Sequence, residues 1–167
     1  MDCEFIAADI LNHSLPTNND VVIFPYSIFN LFKIKDANLL LENVNKVLKP
    51  QGIFYFEAMQ YLPPEKQTHT IKAWRSSGDN FFCPEQHIIV AEENWNEKKQ
   101  CQKGKYFFVK LNDMSVEQHT NRIYFYNEQQ YRDLLSNAGF DFIQFFDAPP
   151  GVEQDEISYI FMLAIKK

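Results

Sequence analysis

Glycine is scarce in this chain. There are five in 167 residues, Gly52, Gly78, Gly104, Gly139 and Gly151. No two stand close enough to form a glycine-rich nucleotide loop, which needs them within a few residues so that backbone can approach a ligand. Cysteine is scarcer. Cys3, Cys83 and Cys101 are odd in number and not closely paired, which argues against a disulfide scaffold and for a reducing, cytoplasmic setting. No run approaches the ~18 apolar residues of a membrane span, so no membrane partner is expected. The opening MDCEFIAAD carries acids and no base, unlike a secretory signal. Positive charge is also in deficit. Sixteen Lys and Arg against 22 Asp and Glu give a net charge of -6. The nearest basic cluster, Lys98, Lys99, Lys103 and Lys105, reads as a hairpin rim, so no nucleic acid is expected as the main ligand.

What is abundant is aromatic residues. Sixteen Phe and eight Tyr within 46% hydrophobic residues exclude an ordinary disordered composition and supply one sizeable core. FIAAD (5–9) is a short apolar run closed by an acid and reads as a strand. A polar stretch from Asn12 to Asp20 follows. VVIF (21–24) is apolar without alternation, which predicts a strand buried on both faces, as in a parallel sheet, and Pro25 ends it. Asp36 is the expected N-cap of a helix whose apolar face is Ala37, Leu40, Leu41, Val44, Val47 and Leu48. Pro50 and Gly52 stop that helix, and IFYFEAM (53–59) is the next strand.

The middle of the chain has another period. TIKAW (70–74), HIIVAEENW (87–95), KYFFVKL (105–111) and TNRIYFY (120–126) alternate and predict antiparallel strands, with turns at 96–104 and 112–118. Arg122, Tyr124 and Tyr126 share one face of the last. Beyond it, Asn127 and Gln130 form a capping-box pattern. Tyr131, Leu134, Leu135 and Ala138 make a helix face, and Gly139 takes the C′ position. FDFIQFF (140–146) and ISYIFMLAIK (157–166) are the closing strands.

This order of elements resembles the C-terminal two-thirds of a class I S-adenosylmethionine-dependent methyltransferase. The resemblance rests on AADILN (7–12), NDVVIFPYSIFNLF (19–32), LLLENVNKVLKPQGIFYFE (39–57) and YNEQQYRDLLSNAGFDFIQFFD (126–147). It departs from the family in having Pro50-Gln51-Gly52 where Pro-Gly-Gly is usual, and in lacking the glycine-rich loop of the first strand. The implied fold class is α/β: a partial Rossmann-like methyltransferase sheet, strands three to seven, carrying an inserted antiparallel β-meander. One methyltransferase-like domain over 1–167, with the insertion at about 70–126, is expected. In the family the first strand lies beside the fourth. VVIF would be that fourth strand and, without the first, a naked apolar edge. FIAAD sliding over in parallel, a second copy of the chain, or a partner chain could cover it.

The resemblance also implies a site. Asp9 would contact the adenine amino group of S-adenosylmethionine, with the Ile10 backbone beside it; the plainer reading is a solvated acid at a strand end. The Phe24 carbonyl, with Pro25 next to it, would face the methionine part of the cofactor. Tyr26 or Phe29 would pack near the sulfonium, since ring faces attract cations; for Phe29 a core position is preferred. Ser27 and Asn30 would face a small-molecule substrate. Cys83, Glu85 and His87 suggest a metal, but Cys-x3-His supplies only two ligands, so none is expected. His87 as a base has no support from its surroundings in sequence, and His13, His69 and His119 read as solvated. Trp74, Trp95, Tyr106, Phe107, Tyr124 and Tyr126 would pack the meander or line a substrate pocket or a dimer face. Arg75 and Arg122 would bind an acidic substrate or lie over aromatic neighbours. The implied activity is methyl transfer to a small molecule. The alternative is a non-catalytic binding or regulatory module that associates with itself or a partner through 21–24.

Overall fold

The computed structural model describes residues 3–59, 61, 70–77, 83–147 and 159–167. The chain divides into two compact units. One comprises 1–61 and 126–167, and the other comprises 62–125.

The first unit is a four-stranded sheet with two helices. β1 (Asn19–Phe24) runs parallel to β2 (Leu48–Met59), joined by α1 (Ile34–Val47). α2 (Glu128–Asn137) leads into β7 (Phe140–Phe146), and β8 (Tyr159–Lys166) is antiparallel to both β2 and β7. The strand order is β1-β2-β8-β7. A parallel pair needs a crossover, and α1 supplies it. Its buried stripe Ala37, Leu40, Leu41, Val44 and Val47 is the periodic face seen in the sequence.

That stripe belongs to a core in which β2 alternates strictly, with Phe54, Phe56 and Ala58 buried. Phe54 and Phe56 stack at 4.6 Å. Phe24 meets Phe54 edge-on at 5.3 Å, and Phe29 meets Phe56 at 5.0 Å. β8 continues the layer with Ile160, Met162 and Ala164. The helix ends are fixed from a distance. Lys166 Nζ donates to the Asn45 and Leu48 carbonyls at 2.7 and 2.8 Å, satisfying acceptors that the last turn of α1 leaves open. Gly139 follows α2 with φ +88 and accepts from Asn45 Nδ2 at 3.2 Å. The capping box of Asn127 and Gln130 is present.

The second unit is an antiparallel sheet of order β3-β4-β5-β6. Its strands are β3 (Thr70–Ser77), β4 (His87–Asn96), β5 (Cys101–Lys110) and β6 (Val116–Tyr124). This is the meander read from the alternating pattern, with shorter turns. A single 3-10 turn, Glu97–Lys99, joins β4 to β5.

Four expectations are corrected. Residues 5–9 form no strand, and Phe5 is 95% exposed; an extended segment persists only when a neighbour takes its N–H and C=O groups. VVIF is not buried on both faces. Val22 and Phe24 point to the core, but Val21 and Ile23 are 47% and 59% exposed, because β1 is a sheet edge paired only with β2 among the described residues. Asp36 is not the N-cap. Lys33 holds that place and Asp36 lies in the first turn, where a carboxylate still favours the dipole. Tyr126 does not extend the β6 face. It is buried in the first unit, where its hydroxyl donates to the Phe32 carbonyl at 2.5 Å.

Candidate active site

In open α/β sheets ligands bind beyond the carboxyl ends of parallel strands, so the segment after β1 is the first place to look. Pro25 ends the ladder. Tyr26 and Ser27 then both adopt left-handed backbone, at φ 56 and φ 52. Residues with a Cβ pay about 1–2 kcal/mol each for that conformation, and such strain persists only where the surroundings impose it. Here Glu57 on the neighbouring β2 imposes it. Its carboxylate accepts from the Tyr26 N–H and from Ser27 Oγ, both at 3.2 Å. The loop is thereby clamped to the adjacent parallel strand, and the Tyr26 ring projects outward, 87% exposed. Tyr55, two residues before Glu57, has its phenol pushed up by burial and secondarily by the Glu57 charge.

A second clamp lies under the first. Asn30 sits on a 3-10 turn, Ile28–Leu31, and is buried. Its Nδ2 donates to Tyr131 Oη at 3.2 Å, Tyr131 Oη donates to the Met59 carbonyl at 3.5 Å, and the Met59 N–H donates to Asn30 Oδ1 at 2.8 Å. This closed triangle ties the turn, the end of β2 and α2 together. Burial drives the Tyr131 phenol far above its ordinary value, with Asn30 partly opposing the shift. Phe29 is fully buried against Phe56, Tyr126 and Tyr131. Its ring supports the loop from behind and faces no opening. Phe24 is nearly as buried.

Asp9 and Ile10 are held by other elements. The Asp9 carboxylate accepts from the Leu11 N–H at 3.0 Å and Asn12 Nδ2 at 2.6 Å, and its carbonyl accepts from the Asn12 and His13 N–H groups. It therefore begins a turn instead of ending a strand. Asn43 of α1 pins that turn by donating to the Ile10 and Leu11 carbonyls at 3.5 and 3.0 Å. Each Asp9 oxygen keeps a lone pair free for another donor. A cavity of about 340 Å³ opens beyond, between this turn and α1, with His13, Ser14, Thr17 and Lys46 on its wall.

In the second unit His87 is buried, with Nδ1 2.6 Å from the Glu85 carbonyl and its ring on Phe108. Cys83 Sγ lies 3.6 Å from Glu85 Oε2. No group of three or more metal-ligating side chains forms among the described residues. His119 is not in a loop. It lies on β6, edge-on to Phe108 and 3.7 Å from Glu117. Trp95 packs on Phe125, and Arg122 donates to Tyr124 at 3.3 Å. Phe107 lies on β5, where it pairs Val90 and Gln118. His69 falls outside the described residues. Glu57, Tyr131 and Asn43 are the site residues that sequence reasoning passed over.

The first sheet, with its parallel β1-α1-β2 unit followed by α2, β7 and a final antiparallel β8 between β2 and β7, has the fold of class I S-adenosylmethionine-dependent methyltransferases. An S-adenosylmethionine-dependent methyltransferase from Clostridium acetobutylicum superposes with TM-score 0.72 at 12% identity, over 96% of this chain and 63% of that one. The CcbJ methyltransferase from Streptomyces caelestis gives 0.72 at 10%, over 95% and 62%. KedS8, a sugar N-methyltransferase from a Streptoalloteichus species, gives 0.65 at 10%, over 96% and 61%. The chain thus spans under two thirds of the length of these neighbours, and at such identities the likeness is one of fold. No protein-family model and no curated protein sequence matches the chain. No helix among the described residues is long and apolar enough to cross a membrane.

Proposed function

We propose that this chain belongs to an S-adenosylmethionine-dependent methyltransferase acting on a small molecule, and that it carries part of the cofactor site. The observation that carries this reading is the clamped loop after β1. Two consecutive left-handed residues are held by Glu57 where a parallel sheet presents ligands. The residues fit one portion of the cofactor. Asp9, with Ile10 beside it, offers carboxylate lone pairs to an exocyclic amine, and the exposed Tyr26 ring offers a face to a sulfonium. Phe24, Pro25 and Phe29 shape the backbone behind them. The glycines among the described residues, Gly52, Gly104 and Gly139, lie in β2, in β5 and after α2, so none builds a nucleotide loop. The cofactor, when bound, supplies an electrophilic methyl group. The protein's part in such a transfer is chiefly to position and desolvate the acceptor, which explains why no acid–base pair is needed near Tyr26. The three free cysteines, one of them exposed, suit a reducing cytoplasm.

Titration calorimetry of the 167-residue chain with S-adenosylmethionine tests this. Heat that saturates and that weakens in Asp9→Ala and Tyr26→Ala supports it. No heat at high micromolar ligand rejects the chain as an autonomous cofactor binder.

The second reading is a module that works by association, and one observation favours it. Val21 and Ile23 lie exposed on an edge strand, on the same face as the half-buried Ile53, Tyr55 and Leu163. An unpaired apolar edge of this kind recruits another strand, from a second copy or a partner chain.

A further inference from the structure

The second unit holds a polar depression that the methyl-transfer reading does not use. On one face of its sheet, cross-strand neighbours form three rows: Arg75 with Ile89 and Phe108, Ala73 with Ala91 and Tyr106, and Glu93 with Gly104 and Asn121. Side chains of one face lie about 5 Å apart across a row, so two adjacent alanines leave a dip between larger neighbours. The dip is a cavity of about 180 Å³ lined by Ala73, Trp74, Arg75, Ile89, Ala91, Glu93 and Tyr106. That is room for a small organic molecule, far beyond the ~10–15 Å³ that one water needs.

Its polar wall is built with care for geometry. Tyr106 folds back over Gly104. A Cβ there would lie 2.5 Å from the ring and 2.7 Å from its hydroxyl, so only glycine allows the fold. The hydroxyl then donates to Glu93 Oε1 at 2.6 Å, while Gln102 Nε2 donates to Oε2 at 2.6 Å. Glu93 is half-buried and fixed by two neutral donors, and no cation pairs with it among the described residues. Arg75, at the other rim, is exposed and likewise has no carboxylate partner there. It stands near enough for its charge to act on the Tyr106 phenol. The depression therefore offers a held carboxylate, an unclaimed guanidinium and an apolar floor between them. A carboxylate with remaining lone pairs asks for a cation or a protic donor, and a guanidinium asks for an anion.

We propose that this depression binds a small zwitterion of the ω-amino-acid class, with its ammonium on Glu93, its carboxylate on Arg75 and the methylene chain between them over Ala73 and Ala91. The site lies within 62–125 and needs no cofactor, so its test is independent of methyl transfer.

The experiment is ligand-observed NMR and calorimetry on the full chain without cofactor. The probes are 5-aminopentanoate and 6-aminohexanoate, with hexylamine and hexanoate as singly charged controls. A hydrogen bond to a charged group makes a difference of roughly tenfold or more in affinity. 6-Aminohexanoate should therefore bind about tenfold tighter than either control. Arg75→Gln should remove its advantage over the amine, and Glu93→Gln its advantage over the acid. Ala91→Leu, which fills the dip with a strand-compatible side chain, should abolish binding, with folding checked by circular dichroism. Absence of amino-acid binding at millimolar concentration overturns the proposal. So do equal affinities for the three six-carbon compounds, or affinities that Arg75→Gln and Glu93→Gln leave unchanged in folded protein.

Discussion

Asn30 holds two elements with one amide, donating to Tyr131 and accepting from Met59. Replacing it by a residue of similar volume separates the hydrogen bonds from the packing. Asn30→Leu leaves the half-buried Met59 N–H without that acceptor and the buried Tyr131 hydroxyl without that donor. Unpaired buried polar groups cost about 1–3 kcal/mol, so the urea midpoint should fall by a corresponding amount; an unchanged midpoint would show that the triangle adds nothing. Tyr106 gives a pH-dependent counterpart in the other unit. Its phenol is pushed up from 10.0 to about 12, first by burial and then by the hydrogen bond to Glu93 and the charge on it. A phenol raised in the folded state keeps its proton longer there than in the unfolded chain. Its contribution is whole below about pH 10 and is lost as pH rises toward about 12. Denaturant melts of the wild type and Tyr106→Phe through that window should show a shallower alkaline decline in the variant. Parallel declines would mean that the Tyr106–Glu93 bond does not persist in solution.

Among the elements, β1 has the clearest consequence. It is short, apolar and at the edge, with Val21 and Ile23 exposed and Phe24 buried. Light scattering should give a mass above the 19.7 kDa of one chain, and Ile23→Lys should lower it, because a charge on an edge strand discourages pairing. A wild type already monomeric at high concentration removes the association reading. This strand also shows how far the sequence carried. VVIF as a strand, though not its burial on both faces, the α1 stripe, FDFIQFF and the Asn127 capping box were legible because each is written in local spacing. So was the parallel neighbour IFYFEAM, through its place after an amphipathic crossover. The strand at 5–9 was misread, because strand formation depends on a partner that local composition does not reveal. Glu57 was passed over although it is the single acid in an aromatic strand, a signal that was available. Tyr131 gave none. Its apolar face predicted burial, and its bond to Asn30 spans 101 positions.

The molecule as a whole carries its own probes. Both tryptophans, Trp74 and Trp95, lie in the 62–125 unit, whereas α1 and α2 lie in the other. Indole fluorescence therefore follows the meander, and ellipticity at 222 nm follows the mixed sheet with its helices. Separately cored units need not unfold together. The two signals should give distinct denaturation midpoints, and coincident curves would establish one cooperative block.

The position of β8 sets an order of assembly during synthesis. It is made after β7, yet it fills the gap between β2 and β7, and Ile165 pairs with Ile53. Residues 62–125 emerge in between, and β4, β5 and β6 each pair with the strand released just before them. At about 5–20 residues per second, the roughly 100 residues separating β2 from β8 take on the order of 5–20 s to translate. Throughout that interval the aromatic centre of the nascent sheet waits on the ribosome with one side unzipped.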